Sequence, residues 1–235
     1  MYKNLRVSLV IPCYNEEKGL MTLIPKVPDI IDEIVVVDGG STDRTVEIAT
    51  QHGAKVIVER KRGYGRAYKA GFATATGDIV ATADGDATYP VEKVEELIDF
   101  MFERGVRFAS ACRFPLDNPK SMSCRNFMGN AVISAAMSIL FERQFSDAAS
   151  GMWVFEKQVL QQMRLMNDRW NFSLEIKIEA AVNPNIGFCE HHMPYHGRIG
   201  DTKVTRPWRA GISALMFLLG KKLAIRFTGP ETRSR

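Results

Sequence analysis

Hydrophobic and polar positions along the chain fall into two alternating patterns. Short β-branched runs predict strands at RVSLVIP (6–12), EIVVVD (33–38), KVIVE (55–59), DIVATAD (78–84) and RFASACR (107–113). Stretches with helical starts and stops lie between them. One helix begins near Glu16. STDRTVEIATQHG (41–53) opens on cap residues and closes at Gly53, and GYGRAYKAGFATATG (63–77) closes near Gly77. YPVEKVEELIDFMFERG (89–105) places Pro90 at a first helical position and Gly105 at the end. This alternation predicts an α/β domain with a mostly parallel sheet and right-handed crossovers.

After Arg113 the regularity fades. RNFMGNAVISAAMSILF (125–141) predicts a helix that carries no charge from Asn126 to Phe141. FSLEIKIEAAV (172–182) predicts another, and GFCEHHMPY (187–195) a strand. No linker stands out. The expected organisation is one domain over 1–205 with a basic, amphipathic helical extension over 206–235.

In sheets of this type ligands bind beyond the carboxyl ends of the strands. Those ends carry Pro12-Cys13-Tyr14-Asn15-Glu16, then Asp38 with GGSTD, then Asp84-Gly85-Asp86. In an extended segment Asp84 and Asp86 point the same way, with Gly85 allowing close backbone approach. Their hard oxygens would suit Mg²⁺ or Mn²⁺ shared with a phosphate. The structural alternative is that Asp86 or Thr88 caps the helix at Pro90. Turning and capping account for Ser41, Thr42 and Asp43 but not for Asp38, a carboxylate suited to hydrogen bonds from a base or ribose. The loop is neither GxGxxG nor a P-loop, which argues against hydride transfer and ATP hydrolysis.

Composition narrows the class. The 235 residues are 46% hydrophobic, enough for one large core. Cys13, Cys112, Cys124 and Cys189 are scattered and read as reduced thiols. The N-terminal apolar run is too short for a cleavable signal. Cys189, His191, His192 and His196 invite a zinc reading. Pro194 breaks a helical HxxxH, however, and a strand sends His191 and His192 to opposite faces. Net charge is +4 but uneven: residues 197–235 hold nine Lys/Arg against two Asp/Glu, leaving the rest of the chain at −3. Such a tail suits an anionic partner. Nucleic acid is not expected, since aromatics there are thin (Trp208, Phe217, Phe227) and no reader motif occurs. Lys221 and Lys222 interrupt the best candidate span, 210–227. Its Leu215, Leu218, Leu219, Leu223 and Phe227 follow helical spacing, with Lys221, Lys222 and Arg226 elsewhere, an interfacial pattern.

Four stretches together carry a resemblance: SLVIPCYNEE, IVVVDGGSTDRTVEIA, RGYGRAYKAGFATATGDIVATADGDATYP and SGMWVFEKQVL. The chain resembles family 2 glycosyltransferases with the GT-A (Rossmann-like) fold, most of all polyprenyl-phosphate sugar synthases of the dolichol-phosphate mannose or glucose type. YHGRIGDTKV resembles their basic phosphate-binding stretch. The resemblance implies that Pro12, Tyr14, Glu16 and Asp38 hold base and ribose. It makes Asp84 and Asp86 metal ligands, and turns Arg113, Arg125, Arg198 and Lys203 to the acceptor phosphate or the diphosphate. These relatives often carry glutamine where Thr88 stands, so metal contact at that position is expected to be indirect.

The implied reaction is inverting, metal-dependent transfer of mannose or glucose from a GDP- or UDP-sugar to a polyprenyl or dolichyl phosphate. A phosphate acceptor arrives ionised and needs cations; a sugar hydroxyl needs a general base. Asp147, in SDAASGMWVF, is either that base or a carboxylate that organises arginines. Glu175 reads as a buried acid paired with an arginine. The alternatives are a hydroxyl-acceptor transferase using Asp147, and a non-catalytic nucleotide-sugar-binding subunit, against which both DXD aspartates count. The expected location is the cytoplasmic face of a membrane, reached peripherally or through an anchoring partner.

Overall fold

The computed structural model describes residues 2–200 and 207–227. Seven strands form one sheet: β1 (Val7–Cys13), β2 (Glu33–Asp38), β3 (Lys55–Val58), β4 (Ile79–Thr82), β5 (Phe108–Cys112), β6 (Trp153–Glu156) and β7 (Cys189–His192). Their order is β3-β2-β1-β4-β6-β5-β7. β1, with six of its seven residues buried, pairs in parallel with β2 on one side and β4 on the other. A central parallel strand is covered on both faces, which is why VSLVIPC reads as continuous rather than alternating.

β6 is the element the hydrophobic pattern does not reveal. It runs antiparallel between β4 and β5. Four residues are too few for a period to register, and they fall where the pattern has already faded.

The helices are α1 (Glu17–Leu23), α2 (Thr45–Gln51), α3 (Tyr64–Thr74), α4 (Val94–Glu103), α5 (Cys124–Phe141), α6 (Phe172–Val182) and α7 (Pro207–Phe227). Leu20, Leu97 and Ile98 of α1 and α4 belong to one buried cluster; Tyr68, Phe72, Phe172 and Ile176 of α3 and α6 belong to another. A third joins α5, α6 and α7 through Met137, Leu174, Ile178, Ala214 and Leu218.

α7 follows the interfacial pattern of its sequence only in part. Leu218 and Lys221 face inward. The Lys221 ammonium reaches Glu175 at 3.0 Å, Glu179 at 2.8 Å and the Arg164 carbonyl at 3.0 Å. Glu175 therefore pairs with a lysine, not an arginine. Leu215, Leu219 and Leu223 do lie outward, joined by Ile212 and Met216. The side chains of Trp208, Arg226 and Phe227 lie outside the described residues.

Candidate active site

The carboxyl ends of β1, β2 and β4 meet, held by side chains that reach across from one loop to the next. The Asn15 amide donates to Ser41 Oγ (2.8 Å), and the Thr42 amide donates back to Asn15 Oδ1 (2.8 Å). The Glu16 and Glu17 amides donate to Thr45 Oγ1 (2.9 Å) and Asp43 Oδ2 (3.1 Å). Ser41 thus ties the first loop rather than capping α2. Asp38 accepts from the Gly40 and Ser41 amides at 3.0 to 3.2 Å, so turn formation explains this carboxylate too. Pro12 lies in β1 beside Gly85. A Cβ added to Gly85 would stand 2.7 Å from Cys13 Sγ, so the loop after β4 can seat this closely against β1 only with a glycine there. The Tyr14 ring lies under the Arg62 guanidinium at 4.3 Å.

The two DXD carboxylates lie near each other on a turn, not on an extended segment, and take different hydrogen-bond partners. β4 stops at Thr82, and the chain turns through Ala87 at φ 57. Asp86 Oδ1 drives that turn by accepting from the Thr88 amide (3.1 Å) and Oγ1 (2.7 Å). Neither Asp86 nor Thr88 caps the next helical turn. The short side chain of Thr88 instead orients Asp86. Asp84 Oδ1 faces Tyr64 and Tyr68, both hydroxyls at 3.3 Å. Burial, then the nearby Asp86 charge, pushes the Asp84 carboxyl up to about 7.

Arg198 closes the rim. Its guanidinium donates to Asp86 Oδ2 (2.6 Å) and to Glu16, while its Nε is buried without a partner among the described residues. The Ile199 and His196 amides donate to the Asp86 and Thr88 carbonyls at 3.2 and 2.9 Å. No three His, Cys, Asp or Glu side chains assemble a metal cage among the described residues. Asp86 and Glu16 already share one cation, the guanidinium. That donor set fits a hard divalent ion held by one or two carboxylates and completed by substrate phosphates.

A second structure lies at residues 146–151, where side chains from six elements satisfy the backbone. Glu190 accepts from the Ser146 and Asp147 amides (2.5 and 3.0 Å). Ser134 Oγ and Asn130 Oδ1 accept from the Ala148 and Ala149 amides, both at 2.9 Å. The Gly151 amide meets Tyr89 OH at 2.8 Å, and its carbonyl meets Thr82 Oγ1 at 2.9 Å. The Ala148 carbonyl accepts from Ser173 Oγ at 3.2 Å. Lys177, wholly buried in α6, donates to the Asp147 and Ala148 carbonyls at 2.6 and 3.2 Å.

Asp147 is fully spent on Arg113. Oδ2 accepts from the Arg113 amide (2.9 Å) and Nε (2.7 Å), and Oδ1 accepts from the guanidinium (2.7 Å). Burial alone would raise this carboxyl; the Arg113 charge and hydrogen bonds, with Lys177, outweigh it and hold it below the usual aspartate range. The Arg113 guanidinium also lies over Tyr195 at 5.0 Å.

The structure thus brings together Tyr14, Glu16, Asp38, Asp84, Gly85, Asp86 and Arg198, and separately Arg113 with Asp147. Arg125 is exposed in the first turn of α5, and Lys203 lies outside the described residues. Sequence reading missed Lys177. Its one signal was a lysine between two glutamates in a stretch otherwise mostly apolar. His191 packs on Phe100 and meets Glu96 at 2.9 Å, while His192 meets the Pro115 carbonyl at 2.8 Å.

A mixed sheet with carboxylates at its strand tips defines the GT-A class of glycosyltransferases. Glucosyl-3-phosphoglycerate synthase from Mycobacterium tuberculosis, crystallised with Mn²⁺, UDP and product, superposes with a TM-score of 0.72 at 19% identity, over 94% of this chain and 81% of that one. The glycosyl transferase family 2 model matches residues 8–164, and the chain belongs to that family. A low-salt glycan biosynthesis hexosyltransferase from Haloferax volcanii is 31% identical over 84% of this chain, which spans 49% of that protein's length. A dolichyl-phosphate hexose transferase from the same organism is 30% identical over 84% of this chain and 86% of its own length.

Proposed function

We propose that this glycosyltransferase is an inverting, metal-dependent enzyme that moves mannose or glucose from a GDP- or UDP-sugar to a polyprenyl or dolichyl phosphate. The observation that favours phosphate over a sugar hydroxyl is the Arg113–Asp147 pair. Every Asp147 oxygen is occupied and its proton affinity is lowered, so it is a poor base. A phosphate monoester, with a second pKa of about 6, needs no base. One of its oxygens forms the new bond to the anomeric carbon from the face opposite the leaving group. The departing nucleoside diphosphate takes the electron pair, and the carbon inverts.

In this reading Pro12, Tyr14, Glu16 and Asp38 hold base and ribose, while Asp84, Gly85 and Asp86 hold the diphosphate end. Asp86, with Asp84 beside it, would hold Mg²⁺ or Mn²⁺, whose positive charge would stabilise the leaving diphosphate. Arg113, Arg125, Arg198 and Lys203 offer cations to the acceptor phosphate or the diphosphate. The similarity to a dolichyl-phosphate hexose transferase supports this acceptor class.

No described helix is long and apolar enough to cross a membrane. α5 exposes Met128, Val132 and Ile139, and α7 exposes Met216, Leu219 and Leu223. These faces suit peripheral contact with the cytoplasmic side of a bilayer, or with an anchoring partner.

The test is a screen of UDP- and GDP-hexoses against farnesyl phosphate with Mn²⁺, with product mass as the readout. A hexosyl phosphate lipid is expected, and Arg125→Ala should raise the KM for farnesyl phosphate more than the KM for the donor. Transfer to sugar hydroxyls with none to the lipid phosphate would overturn the reading.

A further inference from the structure

Among the described residues two lysines are buried, and their surroundings differ. Lys221 meets two carboxylates, Glu175 and Glu179. Lys177 meets only main-chain carbonyls, those of Asp147 and Ala148. Neutral side chains already satisfy the neighbouring backbone: Ser134, Asn130, Ser173, Tyr89 and Thr82. Anchoring a loop therefore does not require an ammonium here, and burying one costs several kcal/mol unless its charge is matched.

The charge is incompletely matched by its buried neighbours. Arg113 and Lys177 are cationic and Asp147 is anionic, all three buried, leaving one positive charge in excess. Glu190, on β7 and half-buried, turns both oxygens to the Ser146 and Asp147 amides. Burial, against the pull of Asp147 and Glu190, lowers the Lys177 pKa to about 8.

We propose that Lys177 is a positioning residue for the acceptor: its ammonium fixes the 147–148 backbone behind Arg113 and leaves the Arg113–Asp147–Lys177 group one positive charge in excess, which the acceptor phosphate neutralises. This inference rests on the phosphate-acceptor reading above. Lys177 does not touch the phosphate; it acts through the loop and through the local field.

The experiment compares wild type with Lys177→Gln, which keeps a donor but loses the charge, and Lys177→Met. Binding of farnesyl phosphate, and of UDP and GDP with Mn²⁺, is measured by calorimetry at pH 7. Farnesyl phosphate is expected to bind at least tenfold more weakly to both variants, with nucleotide affinity within twofold of wild type. Unchanged farnesyl phosphate binding, or parallel loss of both ligands, overturns the proposal.

Should neither variant fold, metal-free wild type decides. Its farnesyl phosphate affinity is expected to fall at least fivefold between pH 7 and 9.5, as Lys177 loses its proton. A flat profile overturns the proposal. The groups facing Lys177 are Asp147, Arg113 and Cys112, with Glu190 behind the loop. Asp147 is held low, Arg113 high, and the Cys112 thiol is pushed up by burial to about 11, so none of these three titrates in that window. The Asp84 carboxyl, which acts on Arg113 and lies at about 7, titrates at its lower edge, so Asp84→Asn must show the same fall. If wild type binds no farnesyl phosphate at any pH, the acceptor reading falls and this inference with it. Wild-type binding that both folded variants retain removes this inference alone.

Discussion

The strand-tip rim and the 146–151 loop differ in where they keep their cations. At the rim, carboxylates accept from backbone amides, and their spare oxygens share one part-exposed guanidinium, that of Arg198. In the loop, side chains serve the backbone, and the cations Arg113 and Lys177 are buried. The rim's cation can be exchanged at modest cost. The loop's cations cannot be released without rebuilding the wall. In the proposed reaction that division is useful, because donor and metal must come and go while the acceptor side stays preorganised.

The sharpest way to break the comparison is Asp147→Asn. An amide leaves the buried cations Arg113 and Lys177 with only the half-buried Glu190 as a near counter-charge. Removing one partner of a buried pair costs about 3–5 kcal/mol, so chemical denaturation should show a loss of that order. The folded carboxyl lies below its ordinary value of about 3.9. Its stabilisation is therefore fully present above that value and is lost as pH falls through the depressed folded pKa. The variant should lack this acid limb. A general-base role predicts instead a protein as stable as wild type and inactive.

Next in size is Asp86→Ala. Removing an electrostatic group of this kind typically costs about 10²–10³-fold in turnover. Transfer should fall by at least that range and Mn²⁺-dependent donor binding should weaken, with the loop untouched. Full activity would remove Asp86 from the metal site.

The rim's position was legible in the sequence, as was an arginine for Asp147; the buried lysine and the loop's backbone partners were not, for a physical reason. Strand tips follow from local signals: the VVV run before Asp38, and the apolar residues before Asp84. The convergence of three tips then follows from parallel topology. The loop depends on partners far along the chain, Lys177 lying 30 residues from Asp147 and Glu190 lying 43. No periodicity encodes such pairs. α6 is buried on every side from Phe172 to Ala181, so its pattern says helix without saying which charge faces what. Even at the rim, sequence gave position but not orientation: Asp84 turns to Tyr64 and Tyr68 while Asp86 turns to Thr88 and Arg198.

The smallest expected effect tests whether the rim's cation is exchangeable. Arg198 spans Asp86 and Glu16 and leaves its buried Nε without a partner among the described residues. A divalent ion approaching Asp86 must displace this guanidinium. The freed arginine, with five donors, can then turn to a phosphate oxygen. Arg198→Gln removes the competitor. A part-exposed ion pair is worth up to about 1 kcal/mol, so Mn²⁺ should bind the nucleotide-free variant up to roughly fivefold more tightly. With UDP or GDP present the gain should shrink or reverse, because a cation for the diphosphate is also gone. Calorimetric Mn²⁺ titrations of both proteins, with and without nucleotide, read this directly. Unchanged metal affinity without nucleotide would mean that Arg198 does not compete for Asp86, and that the rim is as fixed as the loop.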